Sequence, residues 1–203
     1  MERVLVVPTN RLFQEGYFQG FKSAKDFKID FVELMNNYSM FLFRKLAEKD
    51  PKFKQVIPYI VFKFHNEFFI FRRLGAGGEP RLHNRFSLGI GGHISSLDGS
   101  NKGAKVIHEA IRREFEEELY YAGSFAPQLV GFINDDSNEV GKAHFGMVFL
   151  VDGTSPHIKV RETSNLSGRL MAFEHLAKFE PQMESWSKII YQHLKKMNKG
   201  RGE

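Results

Sequence analysis

The chain has 203 residues, a net charge of +5 and a pI of about 9.3, with 42% hydrophobic and 14% aromatic side chains. That suffices for one substantial domain with a buried core, and the lack of cysteine excludes disulfides, thiolate metal sites and a cysteine nucleophile. No stretch approaches the roughly 20 apolar residues of a membrane helix, and the apolar run in Met1–Asn10 is too short for a signal peptide, so a soluble cytoplasmic protein without membrane contact is expected. The basic residues are dispersed except in the tail from Lys195 to Arg201, which favours phosphate-bearing small molecules over specific nucleic-acid binding.

Arg3 to Val7 reads as a short strand, ended by Pro8-Thr9-Asn10. Residues 11–30 scatter Phe13, Tyr17, Phe18, Phe21 and Phe27 without a clean period. Phe31 to Lys49 reads as one helix, with Leu34, Met35, Tyr38, Leu42, Phe43 and Leu46 near one face and Asp50-Pro51 ending it. Residues 1–55 are thus an expected N-terminal extension packed on a core of residues 56–203, with no Gly/Ser/Pro-rich linker between them. Val56–Phe64 and Glu67–Arg72 are β-rich runs flanking His65-Asn66, a hairpin pattern. The glycine-rich stretch from Arg73 to Arg85 lacks the GK[ST] of a P-loop and opens no helix. It reads either as a long surface loop or as one in which Arg73, Arg81 or Arg85 contacts substrate phosphates, where bidentate arginine geometry is favourable.

The most informative stretch is Gly91 to Tyr121. An apolar run, Phe86–Ile90, exits through Gly91-Gly92, where the backbone can turn sharply and approach a ligand. A polar loop follows, then a helix whose apolar stripe is Ala104, Ile107, Ala110, Ile111 and Phe115. Glu114, Glu117 and Glu118, at i, i+3 and i+4, share another face, where like charges repel by a few tenths of a kcal/mol per pair. Converging carboxylates suit a hard divalent cation, Mg²⁺ or Mn²⁺. Alone, the same run reads as a solvated acidic face neutralised by Arg112 and Arg113, with Glu109 the helical partner of Arg113.

Downstream, Gln128–Ile133 and Ala143–Val151 read as strands separated by a turn-rich loop, Asn134–Lys142. Asp152-Gly153 turns the chain. Ile158–Glu162 and Gly168–Phe173 are further strands, Glu174–Phe179 a short helix, and Pro181–Lys196 a final amphipathic helix. This order predicts an α/β protein with a mixed sheet.

The segment Gly91–Leu119 resembles the box of the Nudix (MutT-like) hydrolases: a glycine, five residues, a glutamate, seven residues, then Arg-Glu-apolar-x-Glu-Glu-x-Gly-apolar. Arg113-Glu114-Phe115-Glu116-Glu117-Glu118-Leu119 matches the helical half position for position, and Gly91-Gly92 matches its start. Two departures stand out. The loop is about seven residues longer, so that counting forward from Gly92 reaches Asp98 while counting back from Arg113 reaches Lys105. The glycine after the helix is Tyr120.

The resemblance implies an α/β/α sandwich around a mixed sheet. It also implies metal-dependent hydrolysis of a diphosphate bond in a nucleoside diphosphate-linked small molecule. Mg²⁺ or Mn²⁺ would lie on Glu114, Glu117 and Glu118 with the backbone of Gly91. Glu114, Glu117 and Arg113 would carry catalysis, Arg113 orienting a neighbouring carboxylate, and Gly92 would meet substrate. A further acidic group is sought among Asp98, Asp135, Asp136, Glu139 and Glu162. Phe86, Phe132 and Phe145 are candidates to stack on a base or to fill the core, and His93 and His144 are read as structural. The same fold hosts nucleotide-binding sensors, which is the alternative. Its isomerases depend on a cysteine that this chain lacks. A homodimer is the commonest symmetric assembly.

Overall fold

The computed structural model of the protein describes residues 2–74, 84–99, 103–161, 163 and 166–199. The architecture is α/β, a large mixed sheet with helices. No helix among the described residues is long and apolar enough to cross a membrane. The chain clusters into two compact units. One comprises Met1–Tyr59, Gly91–Glu114 and Leu129–Phe149; the other comprises Ile60–Ile90, Phe115–Gln128 and Leu150–Glu203.

In the first unit, β1 (Arg3–Pro8) pairs antiparallel with β3 (Met40–Phe43), Arg3 opposite Phe43, and with the start of β4 (Phe53–Phe64), Val6 opposite Gln55. A short strand, β2 (Gly20–Ser23), lies in the stretch without clean period and pairs antiparallel with β9 (Gln128–Asn134). The helix expected over Phe31–Lys49 is divided. Helix α2 (Phe31–Tyr38) starts on an Asp30 cap that accepts from the Glu33 amide and stops where the Ser39 hydroxyl donates to the Met35 carbonyl at 2.5 Å. The next four residues, Met-Phe-Leu-Phe, become strand β3 because β1 offers an unpaired edge, and only a short helix, α3 (Arg44–Ala47), follows. Val4, Val6 and Ala47 bury together against Met40, Leu42 and Phe53. A tertiary partner therefore overrides the apparent helical period.

The turn-rich loop also differs from expectation. Asn138 caps a short helix, α5 (Glu139–Ala143), before β10 (His144–Asp152). Phe27, Phe31, Phe132 and Phe145 form one aromatic cluster, with Phe27 and Phe132 centroids 4.2 Å apart. Phe132 and Phe145 are almost wholly enclosed, so they fill the core and are not base-stacking surfaces.

In the second unit the hairpin forms as expected. Lys63 faces Phe68 and Phe64 faces Glu67 around His65-Asn66, with β5 (Glu67–Arg73) then flanked by β12 (Leu166–Ala172) and β6 (Phe86–Ser87). Phe86 packs edge-on against Phe179, with centroids 4.7 Å apart. Residues 173–182 form a 3₁₀ segment that contains Pro181, and the last helix is α6 (Ser185–Lys199).

Helix α4 (Ala104–Glu118) runs straight into strand β8 (Leu119–Tyr121), which pairs with β11 (Ile158–Val160). A helix end leaves carbonyls without partners, and a left-handed glycine is the common remedy. Here Arg161 takes that task. Its amide donates to the Glu118 carbonyl at 2.9 Å and its Nε to the Leu119 carbonyl at 3.0 Å. Its guanidinium also lies 3.7 Å over the Tyr120 ring. A cation at the negative end of the helix dipole is favourable, and Tyr120 can therefore stand where the family pattern has glycine.

Candidate active site

The site grows from β7 (Gly89–Gly91) and the loop after it. A Cβ on Gly91 would sit 2.3 Å from the Pro58 carbonyl oxygen, and one on Gly92 would sit 2.2 Å from Glu114 Oε1. Gly91 is thus required by its close approach to the β4 backbone, whereas a side chain at position 92 would displace the Glu114 carboxylate. The loop is then sewn to β1: the Leu5 amide donates to the Ile94 carbonyl at 2.8 Å and the Ser96 amide to the Arg3 carbonyl at 3.1 Å. This gives the N-terminal segment a definite task, since it holds the loop that carries Asp98.

Asp98 is nearly enclosed, its side chain 2% exposed. It accepts from the Ser95 amide at 2.7 Å and from Arg113 through both oxygens, Nε at 2.5 Å and Nη2 at 2.9 Å. Arg113 also donates to the His93 carbonyl at 3.0 Å and, through Nη1, to Glu114 Oε1 at 2.7 Å. The guanidinium turns to Asp98 and Glu114, not along the helix to Glu109. These bonds, Asp98 first, push the Arg113 pKa further up, so a permanent cation fixes the Glu114 carboxylate. Lys105 is exposed on α4. Of the two counts across the long loop, the forward one reaches the residue that meets Arg113.

His93 and His144 approach through their Nε2 atoms at 3.2 Å, and His144 Nδ1 lies 2.6 Å from the Val140 carbonyl. Burial above all, then the charge of Arg44 and the neighbouring ring, pushes His93 down to about 3. The juxtaposition was not legible in the sequence, because 51 positions separate the two rings.

The other acidic candidates sit elsewhere. Asp136 accepts from Lys54 at 2.7 Å and from the Tyr17 hydroxyl at 3.0 Å. Asp135 is buried and accepts from Gln19, Ser137 and Asn138. Lys54, with a side chain only 4% exposed, adds bonds to the Gly141 and Lys142 carbonyls, and burial lowers its pKa. Glu139 is exposed and pairs with Lys142 at 2.6 Å. Glu117 is exposed and Glu118 half-buried on α4, and Arg85 is exposed. Arg81, Glu162 and the side chain of Arg73 lie outside the described residues. Among the described residues, no three His, Asp or Glu side chains are grouped to hold a metal ion.

No family model matches the sequence. The chain is 35% identical over 196 residues to protein YmaB of Bacillus subtilis (strain 168), covering 93% of this chain and 95% of that protein. It is 34% identical to the crystal structure of "Tm1382, a putative Nudix hydrolase", with a TM-score of 0.80 over 95% of this chain and 97% of that one. The fold, with its glycine-fed acidic helix, is thus that of the Nudix class. The chain belongs to the family that includes YmaB and Tm1382.

Proposed function

We propose that the protein is a metal-dependent hydrolase of the diphosphate bond in a nucleoside diphosphate-linked small molecule. The observation that carries this reading is the Asp98–Arg113–Glu114 chain of charge-assisted bonds, which seats one carboxylate of α4 against the backbone of Gly92. The likeness to Tm1382 supports the same reading.

In this proposal the carboxylates of Glu114, Glu117 and Glu118 on α4 and the backbone of Gly91 are the groups that would hold the ion. Mg²⁺ keeps several waters and is commonly held by one or two carboxylates together with substrate phosphates. Bound there, the ion supplies Lewis acidity and charge neutralisation at the phosphate oxygens. Glu114 and Glu117 act on the attacking water, Arg113 keeps Glu114 in place, and the Gly92 backbone abuts the substrate. Arg85, with Arg73 and Arg81, is the proposed source of phosphate contacts. Asp98 is a positioning residue. Asp136 and Glu139, each tied to a lysine, are weaker candidates for the base than the helix carboxylates.

The alternative is a catalytically weak or inactive nucleotide-binding sensor, suggested by the lengthened loop and by Tyr120. A phosphate-release screen decides between them. It covers nucleoside triphosphates, ADP-ribose, dinucleoside polyphosphates, NADH and nucleotide sugars, with and without Mg²⁺ or Mn²⁺. Metal-dependent turnover that Glu117→Gln lowers by orders of magnitude without unfolding the protein supports the hydrolase. Silence across the panel from folded protein supports the sensor.

A further inference from the structure

The paired imidazoles of His93 and His144 are not used in the reaction proposed above. They meet through Nε2 at 3.2 Å, with ring centroids 5.3 Å apart and planes inclined at 61°, so they face one another edge to edge and do not stack. Two nitrogens bound to one tetrahedral Zn²⁺ at about 2.0–2.1 Å are themselves about 3.3 Å apart. The second nitrogen of His144 is also arranged as in a metal-ligating histidine. Nδ1 lies against the Val140 carbonyl, which accepts its proton and leaves the Nε2 lone pair directed at His93. Both rings are half-buried.

We propose that His93 and His144 are a two-histidine half-site for a first-row transition-metal ion of the Zn²⁺ or Co²⁺ type, with water in the remaining positions. Imidazole nitrogen selects such ions over Mg²⁺, which prefers oxygen. The site is therefore chemically distinct from the α4 carboxylates and stands independently of the hydrolase reading. On binding, the ion replaces the hydrogen bond between the rings, His93 adopts the Nδ1–H tautomer and His144 keeps its bond to Val140. Neighbouring cations oppose the ion, but each is already matched: Arg44 by Glu2 and Glu48, Lys54 by Asp136, and Arg113 by Asp98 and Glu114. With no third protein ligand grouped there among the described residues, the site is open and the ion exchangeable.

The test is a Co²⁺ titration of the metal-free full chain, followed by visible absorption and calorimetry. One histidine-dependent equivalent is expected, beside any Co²⁺ that the α4 carboxylates take. His93→Asn and His144→Asn each remove an Nε2 ligand while keeping a side-chain amide near the Nδ1 position, and each should weaken binding by on the order of 100-fold. Glu114→Gln and Glu117→Gln should leave the affinity of that histidine-dependent equivalent within about twofold while abolishing Mg²⁺-dependent turnover. As a check free of any substitution, a Zn²⁺ titration read on the histidine ring nitrogens by NMR should shift two of the eight histidines. Co²⁺ uptake that both histidine substitutions leave undiminished, a Zn²⁺ titration that shifts no histidine nitrogen, or wild-type protein that takes up neither ion overturns the proposal. None of these results bears on the diphosphatase reading, which depends on Mg²⁺ or Mn²⁺ and the carboxylates.

Discussion

Asp98 holds the Arg113 guanidinium with both carboxylate oxygens, although fifteen positions separate them in the chain. The same guanidinium holds Glu114, so a buried aspartate governs the carboxylate closest to Gly92. Asp98→Ala is expected to destabilise the protein by about 2 kcal/mol, less than for a fully buried pair because Arg113 keeps a third of its surface in water. Urea unfolding measures the loss. An unchanged midpoint would show that the pair contributes nothing net.

Gly92→Ala tests the cradle directly. The new methyl would overlap the Glu114 carboxylate, whose Oε1 is 2.2 Å from the Cβ position, and the side chain must move. A displacement of about 1 Å at a reacting group costs on the order of 100-fold in rate. The expected result is a large fall in kcat with a smaller change in Tm than Asp98→Ala causes. Wild-type kcat in the alanine variant would remove Glu114 from the mechanism.

Lys54→Met keeps length and apolar stem but deletes the ammonium. Asp136 then loses its cation, and the carbonyls of Gly141 and Lys142 lose a donor. Because the Lys54 side chain is 4% exposed, little water replaces it, and a loss of about 3 kcal/mol is expected. The urea midpoint should drop at constant slope. Unaltered stability would mean that the buried charge costs as much as its bonds return.

His93 supplies a pH signature. Its folded-state pKa is pushed to about 3, while the unfolded chain titrates near 6.5. Between those values the unfolded state binds a proton that the folded state refuses, so stability falls as the pH drops below about 6.5. His93→Asn removes this contribution, and its Tm should decline less than that of the wild type between about pH 7 and about pH 5. Parallel declines would contradict a His93 that stays neutral in the folded chain.

Local pattern accounts for what was legible. The stripe Ile107, Ala110, Ile111 and Phe115 is buried as its spacing requires, and the hairpin around His65-Asn66 follows from two β-rich runs with a short polar break. Both signals depend on neighbours within one turn or one strand pair, where chain geometry leaves few alternatives. The Phe31–Lys49 stretch failed because an edge of β1 competes with helix for Met40–Phe43, and that edge is distant in sequence.

At the site, the sequence by itself determined the run of glutamates on α4 and the glycines that precede it. Tertiary structure decided which carboxylate meets Arg113, which cation ends α4 in place of a glycine, and that His93 meets His144. The physical reason is the same for all three. Each partner is chosen by burial and by hydrogen-bond demand at a place the chain reaches only after a long excursion. Asp98 over Glu109, and Arg161 at the Leu119 carbonyl, follow from where β1 and β11 bring the backbone, and no local period encodes that path.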